Sequence, residues 1–196
     1  MSNLVFEDGV EDLLAEAYEA AFKRQPTGGW FKAIAMRVGI TGDVATLDEA
    51  AEAIGVTRER VRQVMAKVEA QLKGMTVPGA QEIAETIVAR SPVPEPIGRV
   101  LASSGMTRPT LTGRAFLNIL KLTGTSAANL VGTDLVRIDG WLVEESEVQV
   151  MKAVFMAKKH TSSYGMTTIE EIRQALARPD NPLDAADIRR VLGDWC

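Results

Sequence analysis

The chain carries one cysteine (Cys196) and one histidine (His160) among 196 residues. A single cysteine forms no internal disulfide, and one of each cannot assemble a zinc site of Cys/His type. A Ser-His-Asp or Cys-His catalytic arrangement would have to use His160. No acid–base constellation is recognisable around it, and after Lys158-Lys159 it reads as a helix-end residue meeting exposed carbonyls. Phosphate-cradling glycine loops and paired histidines are absent, and Glu144, Glu145 and Glu147 lack metal-ligand spacing. The expectation is a non-enzyme with no cofactor and no metal. Aromatic residues are only 5% of the chain, so its core must be built from Ala, Val, Ile, Leu and Met. No apolar run approaches the roughly 20 residues needed to cross a bilayer. Residues 1–14 are acidic and lack the basic and apolar regions of a signal peptide. A cytoplasmic location with no membrane partner is expected.

A basic surplus is also missing, since the net charge is −4. The average hides a strong segregation. Residues 1–57 hold ten acids and four bases, net −6, and residues 76–196 hold fourteen acids and thirteen bases, net −1. Residues 58–75 hold five bases (Arg58, Arg60, Arg62, Lys67, Lys73) against Glu59 and Glu69, net +3. Charges act locally because the Debye length is about 8 Å at physiological salt. A basic helix on an acidic protein can therefore still meet phosphate; the alternative is an ordinary solvated face.

Hydrophobic periodicity divides the chain into three blocks and predicts a mainly α protein. In block 1–74, Leu13, Leu14, Ala17, Ala20 and Ala21 predict a helix over 9–24, and Phe31, Ile34, Ala35 and Val38 predict a second. Pro26-Thr27-Gly28-Gly29 separates them, and two closely spaced helices follow at 46–53 and 57–73. After a linker at 75–79, block 80–146 shows a stripe at Ile83, Ala84, Ile87 and Val88. A short helix at 97–101 and a third over 111–122 come next. The runs 135–138 and 141–143 flank Asp139-Gly140, a hairpin signal. Three helices and a hairpin are the order of a winged helix. The third helix offers Arg114 and Lys121, with Arg108 ahead of it, for DNA contact, or else for packing or dimerisation. Block 147–196 repeats the helical order as a three-helix unit or an incomplete winged helix. It has a stripe at Val148, Met151, Val154 and Phe155, and capping boxes at Thr167/Glu170 and Thr168/Glu171. A last helix bears Arg189 and Arg190.

The informative stretch is Thr46 to Val64. Thr46 with Glu49 forms a capping box, Ala50 and Ala51 are small where helices cross, and Gly55 suits a turn at positive φ. Ile54, Val56, Val61 and Val64 pin two helices together. Thr57 caps the second helix, whose apolar face is Val61, Val64, Met65 and Val68. This is a helix-turn-helix pattern. Its second helix can enter the major groove with Arg58, Glu59, Arg60, Arg62, Gln63 and Lys67 outward. Arginine suits guanine or phosphate, glutamine suits adenine, and glutamate accepts from cytosine. A three-helix bundle with a basic exposed helix is the plain alternative.

Thr57-Arg58-Glu59-Arg60-Val61-Arg62-Gln63-Val64, with Ala66-Lys67 and Leu72, resembles region 4 of bacterial sigma-70-type factors. The likeness extends upstream through Met36–Ile40 and Thr46–Ala51 and covers about 11–74. It implies recognition of a −35-like promoter element through Arg58, Glu59, Arg62 and Gln63, and a contact with the RNA polymerase β-flap. Pro26–Trp30 departs from the family's charged segment, and a complete initiation factor is not expected. The combined expectation is a sequence-specific regulator that binds double-stranded DNA. Arg58, Arg62 and Gln63 would read bases, with Glu59, and Arg60, Lys67 and Lys73 would meet phosphate. The rival is a protein-interaction module that docks on RNA polymerase or another regulator, motivated by the acidic first 57 residues. Homo-oligomerisation is compatible with either.

Overall fold

The computed structural model describes residues 5–152, 154, 155 and 159. The expected capping boxes at Thr167 and Thr168, the last helix with Arg189 and Arg190, and His160 and Cys196 lie outside the described residues.

The first half of the described residues is four helices. Helix α1 (Phe6–Phe22) buries Phe6, Val10, Leu14, Ala17 and Tyr18. That stripe begins two turns earlier than the periodicity predicts, and Ala20 is exposed. Alanine adds little apolar area on either face, so the larger Phe6 and Tyr18 decide which side turns inward. Helix α2 (Gly28–Val38) buries Ala33, Ile34, Ala35 and Val38 and ends at Gly39, in the left-handed region at φ +99°. Helix α3 (Leu47–Ile54) crosses α2 through Ala50 and Ala51, which are nearly inaccessible. Helix α4 (Arg58–Leu72) lies along α1 and buries Val61, Val64, Met65, Val68 and Leu72.

The second half contains α5 (Ala80–Arg90), strand β1 (Val93–Pro94), the short α6 (Gly98–Leu101), α7 (Gly113–Thr123) and α8 (Ala127–Val131). Strands β2 (Leu135–Ile138) and β3 (Trp141–Glu144) close it. The sheet is antiparallel in the order β1-β3-β2, with Val93 opposite Leu142 and Ile138 opposite Trp141. Asp139 and Gly140 both take positive φ, 43° and 84°, as a primed hairpin turn requires. The protein is thus mainly helical with a small antiparallel sheet. Two elements go beyond the winged-helix expectation. Val93-Pro94 pairs as a third strand, and α8 stands between α7 and the hairpin. The helix is only five residues long, begun by the reciprocal Ser126/Asn129 cap, too short to leave a periodic stripe. After the hairpin, residues 148–152, 154 and 155 are helical, with Met151 and Val154 of the expected stripe buried.

The two halves share one hydrophobic cluster, running from Phe6 through Val68 to Phe116 and Leu142. Phe6 and Phe116 meet with ring centroids 5.8 Å apart. A Cβ added at Gly39 would lie 2.7 Å from Ala115 Cβ, so glycine allows α7 to approach the end of α2. Asn118 donates to the carbonyls of Arg37 and Val38 at 3.3 and 3.1 Å, satisfying the open end of that helix. Both carboxylate oxygens of buried Glu7 accept from the Arg108 backbone N–H at 3.0 Å. The Arg108 guanidinium reaches Asp8 and, at 2.8 Å, Glu11. Among the described residues no helix is long and apolar enough to cross a membrane.

Candidate nucleic-acid interface

The helix-turn-helix is held by local chemistry. Thr46 Oγ1 accepts from the Glu49 N–H at 3.2 Å while the Glu49 carboxylate accepts from the Thr46 N–H at 2.6 Å. The bonds that the Glu49 carboxylate accepts from the Thr46 N–H and, at 2.8 Å, from the Thr46 hydroxyl hold it below its ordinary value. Gly55 turns the chain at φ +67°, and Thr57 Oγ1 starts α4 by accepting from the Arg60 N–H at 3.3 Å.

With Val61, Val64, Met65 and Val68 turned into the core, Arg58, Glu59, Arg60, Arg62, Gln63 and Lys67 are all exposed. Within that face the side chains are organised around Glu59. Its carboxylate accepts from Arg62 Nε at 2.8 Å and Nη2 at 2.7 Å, and from Gln63 Nε2 at 3.1 Å. The Arg62 bonds, then that of Gln63, pull the Glu59 carboxyl down to about 2. It is therefore fully ionised at neutral pH. Arg62 offers the fork that a guanidinium and a carboxylate share. Its Nη1 makes no hydrogen bond among the described residues, so the end-on N–H edge stays open. Arg58 faces Asp48 of α3 at 3.6 Å, both well exposed.

Arg60, Lys67 and Lys73 have no carboxylate within salt-bridge distance among the described residues. Lys67 Nζ stands 5.4 Å from the centre of the Phe22 ring, a cation–π contact from α1. Lys73 is set apart. It follows the last residue of a 15-residue helix, roughly 22 Å from the Thr57 end at 1.5 Å per residue. There it borders a different hollow, formed with Met75, Pro78 and Leu130. Residues 57–67 thus form one surface, and Lys73 does not belong to it.

The cations nominated around α7 are placed differently. Arg114 faces Asp43 at 3.6 Å, and Arg108 is bound by Asp8 and Glu11. Lys121 is exposed on the last turn of α7. Sequence reading missed that Glu7, Asp8 and Glu11 serve Arg108. The contact spans about a hundred positions, and no local pattern announces it. Comparison of the chain with family models, curated proteins and solved structures returns no match in any of the three.

Proposed function

We propose that the protein is a sequence-specific DNA-binding transcriptional regulator that reads the major groove with α4. The observation that carries this reading is the exposed, cation-rich face of a capped helix whose opposite face is fully committed to the core. Such a helix can enter a groove without unfolding anything. In this reading Glu59 orients Arg62, so that its free edge can meet guanine O6 and N7 as a fork. Gln63 and Arg58 lie beside it for further base edges, and Arg60 and Lys67 meet phosphate. The likeness of Thr57–Val64 to sigma region 4 supports the same assignment and suggests a promoter element as the target.

Genome-wide capture of DNA fragments by the purified protein tests the reading and returns the site. Recovery of a common motif, with affinity falling linearly in log salt, is the expected result. Retention of RNA polymerase without retention of DNA would replace this reading with the protein-docking one.

A further inference from the structure

Segment charge assigns Lys23 and Arg24 to the acidic first block, yet the helix they follow packs against α4. They follow Phe22, the last residue of α1, and Phe22 is the residue whose ring lies under Lys67 of α4. Successive Cα atoms are about 3.8 Å apart, so both cations sit within two steps of a residue that touches the α4 face. Between the two helices lies an open depression of about 310 Å³, lined by Phe22, Arg60, Arg62, Gln63 and Lys67. Lys23 and Arg24 are exposed, and neither has a salt bridge among the described residues. The nearby Glu19 carboxylate accepts instead from Gln25 Nε2. Arg60, Arg62 and Lys67 thus line one hollow with Phe22, and Lys23 and Arg24 are the two residues that follow Phe22 in the chain.

We propose that Lys23 and Arg24 are phosphate-contacting residues, and that the depression over Phe22 is where the sugar-phosphate backbone flanking the groove rests. This rests on the reading of α4 as a groove-entering helix. Duplex DNA presents one charge per roughly 1.7 Å of axis, so a cation patch beside the inserted helix meets phosphates and not base edges. Lys23 and Arg24 would then add affinity without sequence information. Cations at a helix C-terminus also favour the helix itself, so the test must separate that role from DNA contact.

The experiment compares wild-type full-length protein with Lys23→Gln/Arg24→Gln on a random-sequence duplex, reading affinity against salt. Each lost phosphate contact lowers the slope of log affinity on log salt by about 0.9, so the double variant loses about 1.8. Lys23→Arg/Arg24→Lys keeps the wild-type slope. In the wild type, bound duplex protects Lys23 from amine-reactive labelling, a readout that does not depend on the variant folding. An unchanged slope in the folded double variant, or Lys23 labelled equally with and without duplex, overturns the proposal. If the wild type binds no duplex at any salt, the α4 reading itself falls. If it binds while the double variant matches it, only the role of Lys23 and Arg24 falls.

Discussion

Helices α4 and α7 both begin at a threonine that caps them. Thr57 accepts from the Arg60 N–H at 3.3 Å, and Thr112 from the Ala115 N–H at 3.1 Å. Both carry arginine in the first turn, and from sequence both are candidates to read DNA. The fold separates them. α4 rests one face on α1 and leaves Arg58, Glu59, Arg60, Arg62, Gln63 and Lys67 in solvent. α7 buries Ala115, Phe116, Ile119 and Leu120, turns Asn118 to the end of α2 and sets Arg114 opposite Asp43. Its contacts run to both α2 and α4. A helix used to join two halves of a core has little surface left to present to a ligand. The difference is where each helix's polar groups find partners, not how much charge it carries.

The largest effect should come from breaking the joint that α7 makes. Gly39→Ala puts a Cβ 2.7 Å from Ala115 Cβ and 2.9 Å from Val44 Cγ2, at a backbone φ of +99°. Overpacking of this kind costs about 1–3 kcal/mol, with backbone strain added. Chemical denaturation should show the loss, and wild-type stability would mean that α7 is not tightly docked there.

Glu7 tests the same joint through pH. Burial holds its carboxyl above the ordinary glutamate value, against the lowering effect of the Arg108 N–H. The folded state therefore binds the proton more tightly than the unfolded state. This group's contribution to stability is fully present below the ordinary glutamate value and is lost as pH rises through the raised one. Glu7→Gln should remove that component from the stability-versus-pH curve. Glu7→Ala leaves the Arg108 N–H without its acceptor and should cost about 1–3 kcal/mol at neutral pH. Identical pH profiles for wild type and Glu7→Gln would remove Glu7 from the account.

On the open helix the expected effects fall on binding. Arg62→Ala should lower affinity for the selected site by about 1–3 kcal/mol and relax specificity at one base position, with little change in thermal stability. Uniform weakening across all sequences would instead make Arg62 a phosphate contact. The smallest effect is expected at Arg114→Ala, whose exposed pair with Asp43 contributes about 0.2–1 kcal/mol and whose loss should leave DNA affinity unchanged. A fall in DNA affinity there would erase the contrast between the two helices.

Much of the first half was legible beforehand. Thr46/Glu49, Gly55 and Thr57 are signals confined to a few neighbouring residues, and they placed α3 and α4 to within a residue or two. The Asp139-Gly140 turn was readable for the same reason. The register of α1 was not, because alanines on two of its faces made the stripe ambiguous. Helix α8 and strand β1 were missed because each is only a turn or a residue pair long. Residues 57–67 were readable as one candidate surface, whereas the place of Lys73, the Glu59 clamp and the contact of Phe22 with Lys67 were not.

By itself the sequence determined a mainly helical chain, a helix-turn-helix with its caps and turn, a single hairpin, and a short basic segment on an acidic background. Each is written in periodicity, capping or turn chemistry that acts over a few residues. Only the tertiary structure decided which charges remain available. Arg108 is bound by acids about a hundred residues away, Arg114 by Asp43, while the end of α1 is brought against α4. Charge can be counted along the chain, but its availability depends on which groups the folded core places within a few ångströms.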